Sequence, residues 1–397
     1  MTTLEIVFWA SVFIVFYTYI GYGIVLYILV KIKERFEKPV NYPIPTDKTL
    51  PEVTLFITAY NEEDSVDGKM ENCLALDYPI EKLHILWVTD GSNDNTNRFL
   101  SDWPQATVLY QPERQGKTAA INRGMKFVKT PYIVFTDANA HLSKESVRKI
   151  IYAFADAKVG CVAGEKRLYR FGRNNATADG ESLYWKYEST LKALDARLRS
   201  TVGAAGELFA VRLRLFEEMR TDTLLDDFIQ SMRIAMLGYT IAYCAEAYAV
   251  EFGSANLKEE AKRKVRIAAG GLQSIWRLRS LLNPFRYGWL NFQYVSHRVL
   301  RWTITPVLFF LLFPLSIALS LTAANAVPYL IIYTLLFLLY VMGLLGWFCY
   351  MERIKSKILF IPFYFFFMNI CVIKGFFYFC KRRKKNDGTW EKSRRAG

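Results

Sequence analysis

Apolar residues are concentrated at the two ends of this 397-residue chain, and a mixed polar and apolar pattern occupies the middle. From Ile6 to Val30 no residue is charged, and that length crosses a bilayer as a helix. The segment lacks the basic start and the small-residue cleavage site of a signal peptide, so we expect a retained anchor over residues 1–35. Further apolar blocks predict C-terminal membrane helices over residues 303–380. The blocks are Thr303–Leu321, Val327–Tyr350 and Ile358–Cys380.

In the middle of the chain, short β-rich runs alternate with helix-like stretches such as Glu62–Leu76 and Lys117–Val128. This alternation indicates an α/β domain with a mostly parallel sheet, which we place at residues 52–271. The predicted strands are Val53–Tyr60, His84–Asp90, Thr107–Gln111, Tyr132–Asp137 and Val159–Val162. Residues 272–302 interleave aromatic and basic side chains, which favours amphipathic helices in the membrane interface. A surface helix packed on the middle domain is the alternative.

Basic residues predict the orientation of the chain. Lys31, Lys33 and Arg35 follow the first apolar segment and place the middle domain in the cytoplasm of an inner-membrane, multi-pass protein. The basic loop Glu352–Lys357 is also predicted to lie on the cytoplasmic side. A third block that spans the bilayer would put the basic tail, residues 381–397, outside, against the rule. We therefore favour a re-entrant or interfacial third block and a cytoplasmic tail, and a tail that breaks the rule is the alternative.

The formal net charge of +14 would fit a nucleic-acid-binding protein. Many of the lysines and arginines flank apolar segments, however, so anionic lipids and anionic substrates explain them better. We expect membrane lipids as partners and no nucleic acid.

Two aspartates stand where predicted strands end. Asp90 closes one strand and Asp137 another, and Asn139 follows two positions later. Each aspartate alone would pass for a turn residue. Because ligands bind at the carboxyl ends of parallel strands, the set indicates a site for Mg²⁺ or Mn²⁺ with a diphosphate, in which Asp137 and Asn139 supply oxygen ligands.

Four motifs in a fixed order carry a family resemblance. They are Thr58-Ala59-Tyr60-Asn61-Glu62, Asp90-Gly91-Ser92-Asn93-Asp94, Gly116-Lys117-Thr118-Ala119-Ala120-Ile121-Asn122 and Asp137-Ala138-Asn139. From about Val53 to Gly271 the chain resembles the family-two glycosyltransferases, which have the GT-A (Rossmann-like) fold. Its layout is similar to the membrane synthases of cellulose, hyaluronan, chitin and poly-N-acetylglucosamine.

The resemblance implies a nucleotide-sugar donor, a UDP-sugar, and a role for each motif. Residues expected at the uridine end are Thr58, Tyr60, Glu62 and Asp90. Lys117 would contact the diphosphate, and Asp137 belongs to the family's Asp-x-Asp metal motif. Asn139 replaces the second acid of that motif with a neutral oxygen, so metal dependence is expected with weaker binding.

Leu225-Asp226-Asp227 precedes a helix-like run that ends at Gly238. The resemblance makes Asp227 the catalytic base of an inverting transfer and Asp226 its acidic neighbour. The alternative from the residues alone is a pair of aspartates that cap a helix N-terminus. Gly206 and Glu207 are expected beside the acceptor, and a Gly-Ala turn leading into a strand is their alternative.

The segment Lys262–Ile267 resembles the Gln-x-x-Arg-Trp motif of polysaccharide synthases, with Arg263 and Arg266 on the diphosphate. A solvated basic helix face or a lipid headgroup contact is the alternative. Ile267 stands where the family has the acceptor-stacking Trp, which puts processive polymerisation in doubt. We predict sugar transfer to a growing polysaccharide, with polymer export and accessory subunits left open. The alternatives are transfer of a single sugar to a lipid-linked or membrane-surface acceptor and a non-catalytic scaffold.

Overall fold

The computed structural model of the chain describes residues 2–37, 42–169, 176–352, 354 and 356–382. Most of the predicted basic tail lies outside these residues, and so do Arg353 and Lys355 of the preceding basic loop.

The strands are β1 (Val53–Ala59), β2 (Leu83–Asp90), β3 (Ala106–Gln111), β4 (Tyr132–Asp137), β5 (His141–Leu142), β6 (Val159–Leu168), β7 (Phe209–Arg212) and β8 (Thr240–Glu251). They form one sheet in the order β3-β2-β1-β4-β7-β6-β8-β5. The strands from β3 to β4 are parallel to one another, as are β6 and β8. β7 is antiparallel to both of its neighbours, and β5 is antiparallel to β8. The predicted α/β fold class is confirmed, with a mixed sheet whose first half is parallel.

The helices are α1 (Thr3–Phe16), α2 (Tyr22–Phe36), α3 (Glu63–Leu74), α4 (Thr96–Ser101), α5 (Lys117–Met125), α6 (Ser146–Ala153), α7 (Ala176–Leu198), α8 (Asp226–Met236), α9 (Leu257–Arg277), α10 (Pro284–Tyr287), α11 (Trp289–Tyr294), α12 (Leu300–Trp302), α13 (Ile304–Thr322), α14 (Val327–Met351) and α15 (Lys357–Arg382). A π-helical turn, Tyr17–Gly21, joins α1 to α2, and a second, Val295–Val299, joins α11 to α12.

The parallel half of the sheet has a hydrophobic core on each face. Successive residues of a strand point to opposite faces, so Leu55 and Ile57 of β1 enter one core and Phe56 enters the other. Val66 of α3 lies in the first core, and Ile121 of α5 lies in the second. Because both faces are covered, these strands read as continuous apolar runs, which is why the sequence predicted them.

The strands β5, β7 and β8 and the long helix α7 were not predicted. β7 has only four residues, and β8 contains alanines at alternate positions from Ala245 to Ala249, which have little β-propensity. Both become strands by pairing with β6, which extends to Leu168 along β8 rather than ending at Val162 as predicted. Tertiary pairing therefore decided this half of the sheet.

Four helical segments are long and apolar enough to cross a bilayer, judged by length and composition alone. They are Thr3–Phe36, Ile304–Thr322, Val327–Met351 and Ile358–Arg382. The last belongs to the single continuous helix α15, so the re-entrant form that we favoured for the third apolar block is wrong. Whether α15 spans the bilayer or lies in the interface stays a prediction.

The aromatic and basic stretch 272–302 packs on the α/β domain through some residues and exposes others, and a location in the membrane interface stays a prediction. Leu290 and Tyr294 are buried in the core beneath the sheet, whereas Phe285 is fully exposed and Trp289 half-exposed. Further along the chain, α15 packs against α9, and Gly375 of α15 lies so close to Ala268 that a β-carbon there would meet it at 2.5 Å. An apolar C-terminal helix therefore forms a wall of the α/β domain.

Candidate functional site

The structure brings all thirteen residues predicted for the site to one cavity of about 590 Å³. The carboxyl ends of β1, β2 and β4 meet at its rim, because they are parallel neighbours in the sheet. The thirteen residues are Thr58, Tyr60, Glu62, Asp90, Lys117, Asp137, Asn139, Gly206, Glu207, Asp226, Asp227, Arg263 and Arg266. Their individual roles stay predictions.

At the end of β2, the buried carboxylate of Asp90 holds the loop that leads into α5. It accepts hydrogen bonds from the backbone N–H groups of Gln115 at 3.0 Å and Gly116 at 2.7 Å. The Arg114 guanidinium in this loop lies over the Tyr60 ring, 3.7 Å from its centre. Arg114 was not predicted, although its position just before the Gly116–Asn122 motif was a usable signal.

Lys117 is surrounded by carboxylates at the start of α5. Its Nζ lies 2.8 Å from Asp137 Oδ1 and 3.8 Å from Asp226 Oδ2. Burial opposes the charge of Lys117, but Asp137 and Asp226 outweigh it and raise the pKa of the ammonium group. Lys117 is therefore a fixed cation in the cavity wall, suited to an anionic group such as a diphosphate.

Asp227 lies in the first turn of α8. Leu225 is the N-cap residue and makes no side-chain cap hydrogen bond, but Asp227 binds a free N–H of the first turn, so the capping alternative is retained in part. Asp227 Oδ1 accepts from the N–H of Phe228 at 2.7 Å. Burial, together with the negative charge of Asp226, raises the pKa of Asp227 to about 7. A carboxylate with that pKa accepts a proton readily near neutral pH.

Gly206 leaves open space between these charged groups. A β-carbon at this position would lie 3.4 Å from both Asp227 Oδ2 and Lys117 Nζ, and 3.9 Å from Asp137 Oδ2. The three side chains therefore converge on one small volume that no side chain of residue 206 fills. A reacting atom there would contact a proton acceptor and a cation together.

Two predicted ligand-binding residues are already engaged in a buried ion-pair chain. Lys166 pairs with both Glu207 and Glu251. Arg263 pairs with Glu260 at 2.9 Å and lies 3.5 Å from Glu251. Burial opposes the charge of Glu207, and Lys166 nevertheless holds the pKa of that carboxyl well below its usual range. Glu207 and Arg263 thus first serve to hold β6, β8 and α9 around the cavity.

Asp137 and Asn139 both line the cavity and are partly exposed to it. Their carboxylate and amide oxygens suit a hard cation such as Mg²⁺ or Mn²⁺. Within the described ranges, no cluster of three or more His, Cys, Asp or Glu side chains offers a complete metal site. A cation at Asp137 and Asn139 would therefore depend on further oxygens from a bound diphosphate.

The cavity has two walls of different origin. The sheet side comprises Thr58, Tyr60, Asp90, Arg114 and Lys117. The helix side was not predicted and comprises Trp185, Glu188 and Lys192 of α7, Arg298 and Arg301 from the second π-helical turn and α12, and Tyr364, Phe365, Met368 and Asn369 of α15. No local motif marks the helix-side residues, since they come from separate elements: α7 ends at Leu198, the second π-helical turn begins at Val295, and α15 begins at Lys357.

Comparisons with known proteins agree with this geometry. Residues 54–220 match the family model "Glycosyl transferase family 2". The poly-β-1,6-N-acetyl-D-glucosamine synthase of Staphylococcus aureus (strain MSSA476) is 27% identical over 237 residues, which are 57% of this chain and 56% of that protein. Its counterpart in Staphylococcus epidermidis is 25% identical over 237 residues, with the same coverage. The chain thus spans a little over half the length of the curated relatives it matches.

A solved structure shows the same fold over nearly the whole chain. The mannosyltransferase PcManGT from Pyrobaculum calidifontis, in complex with GDP-Man and Mn²⁺, superposes with a TM-score of 0.69 at 21% identity. The match covers 96% of this chain and 99% of that one, which establishes a common fold that includes the terminal helices. Residues 54–220 therefore match glycosyl transferase family 2, and the chain has a GT-A fold joined to long apolar helices, with similarity to membrane polysaccharide synthases.

Proposed function

We propose that this chain transfers a sugar, with inversion at the anomeric carbon, from a nucleotide-sugar donor to a carbohydrate acceptor at the cytoplasmic face of the inner membrane. The arrangement of Lys117, Asp137 and Asp227 around the open space at Gly206 carries the proposal. That space offers a cation for a leaving diphosphate and a proton acceptor for an incoming hydroxyl.

In the proposed reaction, the acceptor hydroxyl oxygen attacks the anomeric carbon of the donor. The new glycosidic C–O bond forms as the C–O bond to the donor diphosphate breaks, and the nucleoside diphosphate leaves. The hydroxyl proton passes to Asp227 Oδ2, which faces Gly206 while Oδ1 is held by the N–H of Phe228. A single displacement with one base inverts the configuration.

Stabilisation of the leaving group is assigned to Lys117, with Arg266 lining the same cavity. Asp137 and Asn139 would hold Mg²⁺ or Mn²⁺, which supplies positive charge beside the diphosphate. The Mn²⁺ named for PcManGT supports this assignment. Because Asp137 also pairs with Lys117, binding of the cation has to compete with that ion pair.

For the product, we propose a growing polysaccharide, as the names of the staphylococcal relatives indicate. Transfer of one sugar to a lipid-linked acceptor is a second candidate. It is favoured by two observations: α15 side chains line the cavity, and Ile267 stands in place of an acceptor-stacking Trp.

The test uses the purified full-length chain in a neutral detergent. UDP-sugars, and GDP-sugars because of the PcManGT complex, are screened for nucleotide release with and without Mg²⁺ or Mn²⁺. We expect one donor to be consumed, more slowly after chelation, with a product of inverted anomeric configuration by NMR. Consumption of no donor, or retention of configuration, would refute the proposal. A high-mass product identifies polymerisation, and a single-sugar glycolipid identifies the second candidate.

A further inference from the structure

The cavity continues from the proposed reaction centre to the apolar surface of α15. Ile361, Phe365, Met368 and Val372 of that helix line it, and each is partly exposed. A water-soluble acceptor gains nothing from such a wall, whereas a hydrocarbon chain is stabilised by it in proportion to the apolar area covered. The α15 wall therefore fits an acceptor that carries a lipid chain.

Lys192 lies on the wall of the same cavity and is only 4% exposed. Among the residues that the structure describes, no hydrogen bond or ion pair engages its ammonium group, and the Trp185 ring lies 6.0 Å away. Burial lowers the pKa of Lys192, and the negative charge of Glu188 partly offsets this effect. A buried cation without a close counter-ion is costly unless a ligand supplies the opposite charge.

The charges around Lys192 favour an anion. Glu188 is already paired with Arg298 at 2.6 Å and with Arg301 at 2.8 Å. Lys264 lies on the same cavity wall, with its Nζ 5.3 Å from the Trp185 ring. Lys264 is paired with Glu260 at 3.4 Å, so Lys192, Arg298 and Arg301 stand against the single carboxylate of Glu188. The excess of positive charge fits the oxygens of a phosphoryl group.

This cationic group has different partners from those of Lys117. Arg298 and Arg301 pair with Glu188, and Glu207 pairs with Lys166. Lys117 pairs with Asp137 and Asp226, and neither of these pairs with Lys192. The cavity thus has a second cationic position, separate from the one assigned to the donor diphosphate.

We propose that Lys192, together with Arg298, binds the phosphoryl group of a lipid-linked sugar acceptor, whose hydrocarbon chain lies along α15. This inference rests on the proposed glycosyl transfer and names the substrate class of the same site. The acceptor sugar lies between Lys192 and Asp227 and presents its hydroxyl to Asp227. The bonds formed and broken are those given for the transfer, and the phosphoryl group of the acceptor stays intact.

Binding is measured separately from chemistry, by tryptophan fluorescence of the full-length protein in a neutral detergent, since Trp185 adjoins Lys192. Three probes carry the same sugar, N-acetylglucosamine, on different groups. The first is a dodecyl diphosphate, the second is a neutral dodecyl glycoside without phosphate, and the third is a methyl diphosphate. A matching mannose set is run in parallel. We expect the dodecyl diphosphate to bind about tenfold more tightly than either of the others.

Substitutions then identify the residue. Lys192→Met should weaken dodecyl diphosphate binding about tenfold, because it removes the charge and keeps the length of the side chain. Lys192→Arg retains the charge and should retain the preference over the neutral glycoside, which excludes a folding defect at this position. Lys186→Met removes an exposed lysine from the same helix and should change nothing.

Three results would overturn the inference. Equal binding of the two dodecyl probes would show that the protein has no binding site for the phosphoryl group. Equal binding of the methyl and dodecyl diphosphates identifies a site for soluble phosphates instead of a lipid. An unchanged affinity in Lys192→Met assigns the site to other residues. Nucleotide release, measured on the same preparation, reports on the glycosyl transfer alone, so either proposal can fail without the other.

Discussion

The sheet side and the helix side of the cavity differ in how their polar groups are held. On the sheet side, Asp90 is bound by backbone N–H groups and Asp137 by one lysine, each within a short stretch around a strand end. On the helix side, Glu188 is shared by Arg298, Arg301 and a buried histidine from a distant segment. A polar group held by backbone tolerates changes elsewhere, whereas members of a charge network depend on one another.

This difference separates two kinds of contribution. Our proposal assigns the chemistry to the sheet-side groups and the neighbouring Asp227, so their loss should appear in rate constants. The ion pairs that join β6, β8 and α9, such as Lys166 with Glu251, are almost fully buried, and their loss should appear first in stability. The following predictions test that division.

The largest effect is expected for Asp227→Asn. Removing the proton acceptor while keeping the shape of the side chain should lower kcat about 10³-fold, within the range of general base catalysis. Donor affinity should change little. Nucleotide release in the presence of acceptor measures kcat, and Asp102→Asn, an exposed aspartate, serves as the control. A loss of less than tenfold would contradict the assignment of the base.

Lys166→Met should reduce the free energy of unfolding by about 3 kcal/mol, because Glu207 and Glu251 would remain buried without their shared cation. Denaturant unfolding of the purified protein, followed by fluorescence, measures the change. Lys158→Met, at an exposed position, should be neutral. If the stability were unchanged and only the rate fell, the division between the two kinds of residue would be wrong.

Gly206→Ala should lower kcat/KM by about 10²-fold, since the added methyl group would stand 3.4 Å from Asp227 Oδ2 and displace the reacting atoms. Gly68→Ala is a matched control. Its methyl group would also meet a side chain, that of His141, at 3.4 Å, but outside the cavity wall. Steady-state kinetics of both variants distinguish a blocked site from a general effect of the methyl group.

The pH dependence of kcat/KM should follow the protonation of Asp227. Since the base works deprotonated and its pKa is raised to about 7, kcat/KM should fall as the pH drops below about 7. Asp226→Asn removes a negative neighbour, so the acid limb should move to lower pH, by about one unit. Identical pH profiles of kcat/KM for the wild type and Asp226→Asn would show that another group controls the fall in activity at low pH.

The smallest effect is expected for Arg114→Ala. Loss of the contact with the Tyr60 ring should raise the donor KM about threefold and leave kcat unchanged. Arg114→Lys keeps the charge without the planar stacking, so its donor KM should lie between those of the wild type and Arg114→Ala. A fall in kcat would place Arg114 in the chemical step instead of donor binding.

Sequence analysis found the parallel half of the sheet and the thirteen residues that share the cavity. Their signals were local: Asp90 and Asp137 end apolar runs, and Asp227 begins a helix. It did not find β8, whose pairing with β6 is long-range, or Lys192, which no neighbouring residue marks as a ligand. It also could not tell that α15 is one continuous helix against α9, since a run broken by Pro362 fits several shapes.

The sequence by itself determined the α/β fold class, the resemblance to family-two glycosyltransferases and the strand ends that carry the motif residues. It did so because apolar periodicity and turn residues act within a few positions of one another. Only the tertiary structure decided which charges pair, how burial and the charge of Asp226 raise the pKa of Asp227, and that α7 and α15 enclose the cavity. These properties depend on burial and on distances between residues remote in the chain, and local patterns do not encode them.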